Sequence, residues 1–427
     1  MKFSISWLSA LTLLCVLSGT ALARPQPLKS GVSAQADSAV TASDNPAGIT
    51  RFDSTQIRGD LYYVNSESTW ENRVDTGSGP KPTEKTDTDS DVLAPNFAII
   101  KPLSDKWWFS FSLLAYSVSD DYGDDWEGSY AIEEYDLLFI SAYPSIAYKV
   151  NDKWSVAASL AGSYTSYEQD SAFRNIPDVP GQKPDDGKLE IDADGFTMGF
   201  GFSTLYEFTP KTRIGFNYQS ELDPELDGDL DFSNLTKNSE TLLDLAGLLG
   251  AGIDVETASP QRANVGIYHE FENRHATTFD VAWIDFSEFK LADIYINDYQ
   301  LNDTKFGYDD IWAYIAGYSF PISERFTVGL AGIYVPSMVD DEDRQLTLRL
   351  DEIWGAGIGV DWQYSDKLKF DVTFNYIQIG DSPVDSGLID IDDGTPQGTT
   401  GNLTGEFTDR DFILLQFGVE WGNGPRS

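Results

Sequence analysis

The chain has 427 residues, a formal net charge of −40, two histidines and one cysteine. That excess of carboxylates excludes nucleic acid as a partner, because a polyanion repels a strongly acidic surface. The single cysteine, Cys15, excludes an intrachain disulfide. Mean hydropathy is −0.29, and beyond the N-terminus no run approaches the ~18 apolar residues of a helical membrane span.

Taken in order, residues 1–23 read as a secretory signal: Lys2, an apolar run, then Ala21-Leu22-Ala23 as the small-x-small cleavage pattern. Cys15 is not placed for a lipoprotein. An exported, disulfide-free chain fits a bacterial envelope. Residues 24–54 are assigned to an N-terminal plug. Its centre, Gly31–Phe52, is small, weakly charged and without alternation. Within it, Asn45-Pro46-Ala47 predicts a tight turn, since Pro46 drives Asn45 out of the α region.

From residue 55 to 421, period-two alternation recurs with two kinds of punctuation. Short turns with a cation lie at Ser104-Asp105-Lys106, Asn151-Asp152-Lys153, Pro210-Lys211, Glu272-Asn273-Arg274, Ser323-Glu324-Arg325 and Ser365-Asp366-Lys367. Between them fall longer acidic or Gly/Pro-rich connections near 66–91, 119–131, 168–187, 222–256, 287–306, 337–345 and 380–405. The two kinds alternate and separate fourteen strands, the layout of an all-β, antiparallel transmembrane barrel with both chain ends periplasmic. The 11 Trp, 21 Tyr and 25 Phe suit such a barrel. One face of 195–208 carries Phe196, Met198, Phe200, Phe202, Tyr206 and Phe208; the other carries Thr197, Gly199, Gly201 and Ser203. Trp107, Phe109, Phe111 and Leu113 oppose Trp108, Ser110 and Ser112, and Ile413, Leu415, Phe417, Val419 and Trp421 oppose Gln416, Gly418 and Glu420. Trp107, Trp154, Phe208 and Trp421 sit near short turns or the chain end, where an interfacial girdle belongs. Residues 422–427 form a periplasmic tail.

Two stretches depart from the pattern. Pro144 predicts a bulge or kink in 137–150. Leu242–Leu249, in the fourth long loop, predicts an apolar helix, and Leu242, Leu245 and Leu249 are candidates for an outer ligand-collecting patch or for packing of the loop on itself. His269 and His275 flank one short turn near the periplasmic rim and lack a nucleophile motif, so no enzyme is expected. Acidic clusters at Asp120–Asp125, Asp340–Asp343 and Asp390–Asp393 read as solvated loop charge; neither Asp192-Ala193-Asp194-Gly195 nor Asp390-Ile391-Asp392-Asp393-Gly394 completes a calcium loop, and no metal or other cofactor is expected. Arg213 and Arg262 fall on inward faces by alternation, as partners for a cargo carboxylate or for lumenal carboxylates.

With these elements in place, the chain resembles the FadL-type family (OmpP1/FadL/TodX-like) of outer-membrane transporters of long-chain fatty acids and aromatic hydrocarbons. The likeness runs from Gly31 to Trp421. It is sharpest in GVSAQADSAVTASDNPA, and continues in 143–160, 192–222, 309–320 and 343–360. The resemblance implies a fourteen-stranded barrel with an N-terminal hatch, in the outer membrane of a Gram-negative bacterium. Hydrophobic cargo, long-chain fatty acid first, is captured by outer loops, held in an apolar lumen pocket and released sideways near a kinked third strand, here Lys106–Ser117. Neutral hydrocarbons by the same route, or a structural or adhesive barrel, are the alternatives. The resemblance also implies that Asp310, facing the lumen from strand ten, holds the hatch turn Asn45, Pro46 and Ala47. Glu352 stands where an arginine is expected, leaving Arg344 or Arg349 as stand-ins. Trp108 and Tyr116 complete the candidate cargo contacts. The expected partners are the hydrophobic cargo, outer-membrane lipid and lipopolysaccharide, and the barrel-assembly machinery, with the protein a monomer. The third strand contains no Gly or Pro to account for a kink.

Overall fold

The computed structural model describes residues 33–75, 85–123, 126, 128–288, 293–296, 299–300, 307–340, 344, 350–391 and 399–425. Fourteen antiparallel strands close into a barrel. They are β1 (Gln56–Asp75), β2 (Lys85–Pro102), β3 (Trp107–Asp121), β4 (Glu134–Asn151), β5 (Trp154–Phe173), β6 (Gly187–Thr209) and β7 (Thr212–Gln219). There follow β8 (Arg262–Glu270), β9 (Ala276–Ile284), β10 (Ile311–Pro321), β11 (Phe326–Val335), β12 (Ile353–Gln363), β13 (Leu368–Ile379) and β14 (Thr399–Trp421). Each pairs with its sequence neighbours, and β1 pairs with β14 from Ile57↔Trp421 onward, so the first and last strands close the sheet on itself.

Alternation sorts the side chains as the sequence predicts. On β6, Phe196 (63%), Met198 (65%) and Phe200 (58%) are exposed, whereas Gly201 and Ser203 are buried. On β3, Trp107 and Leu113 face out while Trp108, Ser110 and Ser112 are wholly buried. The girdle residues Trp107, Trp154, Phe208 and Trp421 are all exposed beside the short turns. An outward belt of this kind is stable only in lipid.

The long connections carry more structure than alternation foretold. A transmembrane strand needs only ~9–11 residues, yet β1 has 20 and β6 and β14 have 23. The ladders therefore continue beyond the lipid. Extra strands at Glu225–Ser233 and Gly252–Glu256 extend the wall above β6, and Ser382–Ile391 extends it beside β14.

Two local expectations change. Pro144 makes no bulge: β4–β5 pairing lapses over Tyr143 and Pro144 but resumes at Ser145↔Ser159 in register. The missing N–H drops ladder bonds without shifting the chain. The loop helix spans Lys237–Ala246 instead of Leu242–Leu249, because Gly247 ends it in the left-handed conformation at φ 71°. Leu249 lies beyond it.

Candidate functional site

Three zones stack along the barrel axis. In the half nearer the long loops, inward residues of almost every strand form one apolar cluster that includes Tyr62, Leu137, Ile191, Ile315, Ile333 and Phe412. Leu226 and Val255 of the extra strands and Met338 of a connection roof it. A porin carries polar groups here; this lumen is apolar.

In the half nearer the short turns sits the segment 33–52. A short helix, Thr41–Asp44, runs into a 3-10 turn over Pro46–Arg51, and Asn45 between them is extended at φ −154°, ψ 86°. Its alanines and Ile49 are buried with Trp108, Ala147, Ala157 and Leu205 of the wall. The segment is too small and polar to form a core alone, so the barrel's inward side chains satisfy its backbone. Ser33 N–H donates to Asp280 Oδ1 at 2.8 Å and Ala39 N–H to Glu420 Oε1 at 2.9 Å. Ala47 N–H donates to Ser203 Oγ at 2.9 Å, while Ser155 Oγ donates to the Ala47 carbonyl at 2.8 Å. Asn45 Nδ2 donates to the carbonyls of Ser33 (2.6 Å) and Thr204 (3.2 Å). The Trp108 indole donates to the Phe52 carbonyl at 2.8 Å, and Arg51 pairs with Glu207. With Arg213 of β7, whose Nε donates to the Ala34 carbonyl, six strands, β3, β5, β6, β7, β9 and β14, hold the segment.

The seam between the chain's two barrel ends carries a buried ion cluster. Arg58 reaches Asp60 (2.5 Å), Asp371 (2.8 Å) and Glu420 (3.4 Å), and Lys369 reaches Glu420 at 3.2 Å. Such charges are tolerated in the lumen because each has an opposite neighbour. Glu420 belongs both to this cluster and to the tether of Ala39. Below the segment, a cavity of about 480 Å3 opens to the periplasmic side, lined by Arg51, Lys149, Lys153, Glu207 and the adjacent turns. Its charged walls do not suit an apolar chain.

The wall itself opens halfway up. β3 pairs with β4 at every residue from Trp107 to Asp121. Its pairing with β2 stops at Asn96↔Leu114, although both strands continue. Pro95, which has no N–H to offer, adjoins the last pair, and Asn96 Oδ1 accepts from Ala115 N–H at 3.0 Å where the strands part. A small cavity of about 10 Å3, the size of one water, lies at this break, between Val40 and Ser43 of the segment and Asp60, Asn96 and Leu114 of the wall.

The residues singled out from sequence fall differently. Asn45, Pro46 and Ala47 are all buried at the tethered turn. Asp310 does not hold them. It lies at the loop-side end of β10, a strand's length from the turn, and its carboxylate accepts from Trp283 Nε1 (2.9 Å) and Ser287 Oγ (3.0 Å). Glu352 accepts from Tyr334 at 3.0 Å, and Arg344 pairs with Asp351 at 3.0 Å, so neither meets Asp310 at the turn. Arg349 lies outside the described residues, as do Asp124, Asp125, Asp341, Glu342, Asp343, Asp392 and Asp393 of the acidic clusters. Among the described residues, no group of carboxylates, histidines or cysteines is arranged to hold a metal.

Arg213 is buried, but its Nε donates to the Ala34 carbonyl at 2.6 Å, a second nitrogen reaches the Gln35 carbonyl, and its guanidinium lies 3.8 Å from the Tyr268 ring centre. Arg213 and Trp108 are therefore committed to the N-terminal segment. Arg262 is buried at the loop-side start of β8, opposite Gln219 and Ile284. Tyr116 stacks on Phe139 at 4.8 Å beside the apolar cluster. Of the loop helix's leucines only Leu243 is buried; Leu242 and Leu245 (80%) are exposed, and Leu249 beyond the helix is half-buried. Sequence reasoning missed Asp280, Glu420, Ser155 and Ser203, whose only signal was a polar residue on an inward face. It also weighed Pro144 where Pro95 marks the break.

A family model described as "Outer membrane protein transport protein (OMPP1/FadL/TodX)" matches residues 18–414. A long-chain fatty acid transport protein of Escherichia coli O6:H1 is 23% identical over 385 residues, covering 80% of this chain and 84% of that protein. One from Salmonella typhi is 23% identical over 378 residues, covering 82% and 83%. Among solved structures, a Pseudomonas aeruginosa FadL homologue superposes with a TM-score of 0.79 at 16% identity, covering 98% of this chain and all of the other. The toluene transporter TodX of P. putida gives 0.62 at 12%, covering 92% and 99%. At such identities the solved structures speak for the fold.

Proposed function

The chain belongs to the OMPP1/FadL/TodX family of outer membrane transport proteins, and from that premise we propose that it takes up long-chain fatty acids through an apolar lumen and releases them sideways past an N-terminal plug. Its family are β-barrels of Gram-negative outer membranes, and its relatives and structural neighbours are transporters and channels, not enzymes. The observation that carries the reading is an apolar half-lumen adjoining a wall whose β2–β3 ladder ends at Asn96↔Leu114.

Physical chemistry favours this route over an axial one. Each methylene gains ~0.8 kcal/mol on leaving water. A chain bound in the apolar half loses little by passing into lipid. Leaving through the charged periplasmic mouth would expose it to water. The exposed Leu242 and Leu245 on the loop helix serve as the outer collecting patch. The segment 33–52, tethered to six strands, serves as the plug, and its polar attachments can be exchanged for water when it shifts.

Two features favour a carboxylate cargo. The curated relatives named above are fatty acid transporters, and Arg262 places a buried cation at the loop-side end of the lumen. A neutral aromatic or alkane cargo is the second reading, motivated by the TodX likeness. The deciding experiment is mass analysis of the lipid extracted from the purified barrel, with uptake of the identified compound into proteoliposomes. Co-purified, transported fatty acid is expected. Bound arene or alkane would transfer the assignment to the second reading, and a barrel that binds and imports no hydrophobic compound would sink both.

A further inference from the structure

Between the apolar half-lumen and the break in the wall stands a third, smaller cluster that neither the plug nor the loops account for. β7 ends after eight residues, at Gln219. Ser220 still holds to the wall, its N–H donating to the Phe200 carbonyl at 2.8 Å; beyond it the chain leaves β6 and Leu222 turns inward. Leu222 is 4% exposed and packs with Leu114, Tyr143 and Ala161, inward residues of β3, β4 and β5. This cluster is separate from the loop-side apolar cluster and from the one around the N-terminal segment.

The inward turn is held in two ways. Leu222 and Ser259 exchange backbone hydrogen bonds of 3.0 and 2.8 Å, an isolated bridge outside any strand. On the wall, β6 presents Gly199, where a Cβ would collide with Leu222 and with the Ser220 hydroxyl. The wall is thus hollowed to admit this strap. A single two-bond bridge and a few apolar contacts form a small cooperative unit, the kind that opens locally without unfolding its surroundings.

Position gives the strap its meaning. Leu114 belongs to the cluster that Leu222 closes and also lines the cavity at the β2–β3 break. Below Leu114 the inward face of β3 becomes Ser112 and Ser110, both wholly buried, so the apolar path does not continue down the axis. We propose that Leu222 is a gate of its own, distinct from the N-terminal plug: cargo moves from the apolar half-lumen to the break only when the strap 220–224 swings aside, and bulk at position 222 sets the width of molecule that passes. This rests on the uptake reading above.

The test measures proteoliposome uptake of a straight-chain fatty acid and of a ring-bearing one of equal carbon number by the wild type, Leu222→Trp and Leu222→Ala. Uptake of the straight chain is expected to fall at least tenfold in Leu222→Trp, with the folded band on an unheated gel and the co-purified lipid retained. Leu222→Ala should keep straight-chain uptake and raise the wide compound's relative rate several-fold. Should Leu222→Trp not fold, Gly199→Ala displaces the strap from the wall side and is expected to act as Leu222→Ala does. Wild-type rates and an unchanged width preference in the folded variants would overturn the gate, as would a lowered thermal midpoint with no change in preference. A wild type that imports neither compound would overturn the uptake reading, and the gate with it; that failure shows in the wild type and not in the variants.

Discussion

Arg213 shows how one inward cation can be spent. Two of its nitrogens reach the carbonyls of Ala34 and Gln35 and its face covers Tyr268. Arg213→Ala would leave those carbonyls buried without a donor, at about 1–3 kcal/mol each. The segment should loosen, so single-channel conductance should rise and uptake of fatty acid and of alkane should change together. A loss confined to fatty acid would instead make Arg213 the partner of the cargo's carboxylate. Asp310 gives a pH signature. Burial alone would raise its pKa, but hydrogen bonds from Trp283 and Ser287 outweigh that and hold it below the ordinary value. A depressed carboxylate adds stability above its unfolded pKa of ~3.9 and loses it as pH falls through the native value. The thermal midpoint of the wild type should therefore exceed that of Asp310→Asn from neutral pH down to about 4, with the gap closing below. A gap that persists at lower pH would mean the ionised form is not what holds Ser287.

At the scale of elements, the N-terminal segment lies against β7 because β7 offers a glycine. A Cβ at Gly215 would strike the Ser33 carbonyl and the Asn45 side chain, both in the segment. Gly215 is a barrel residue whose backbone pairs normally with Leu205 and Gly266, so Gly215→Val suits the strand and displaces only the segment. Conductance should rise while the folded band on an unheated gel remains. Wild-type silence in this variant would mean that the segment does not occlude the lumen. The β2–β3 break has a similarly local origin in Pro95 and Asn96, one without a donor and the other with a side chain that takes the donor of Ala115. β3 needs no kink of its own.

Across the whole molecule, charge is arranged by height. Above the lipid belt, carboxylates stand directly opposite one another across strands: Asp121↔Glu134↔Asp170↔Glu190↔Asp231, and Asp136↔Glu168↔Asp192↔Asp229. Lys188, 2.8 Å from both Asp170 and Glu190, is the cation among them. Like charges in register repel, and screening shortens their reach from ~30 Å at 0.01 M salt to ~8 Å at 0.15 M. The extensions above β6, including 222–256, should resist proteolysis better at the higher salt. Equal cleavage at both salt concentrations would show that the rows are already neutralised. At the opposite end the six short turns carry the cations, beside the exposed Trp107, Trp154 and Trp421.

The sequence by itself determined what is local or periodic. Alternation decides which face of each strand meets lipid, because side chains on a strand can point only two ways. Gly, Asn, Asp and Pro place the turns, and the contrast between short and long connections orients the barrel. Asn45-Pro46 specifies its own extended residue and the turn that follows. What meets what across the lumen was not legible, because contact there depends on the height each strand reaches in the closed barrel. Asp280 lies on β9 and Asp310 just before its neighbour β10, yet only Asp280 stands level with the segment. The Arg58 cluster likewise requires the first and last strands to meet. Leu222 read as the start of a loop; only closure of the barrel, and the hollow at Gly199, brings it to Leu114, Tyr143 and Ala161.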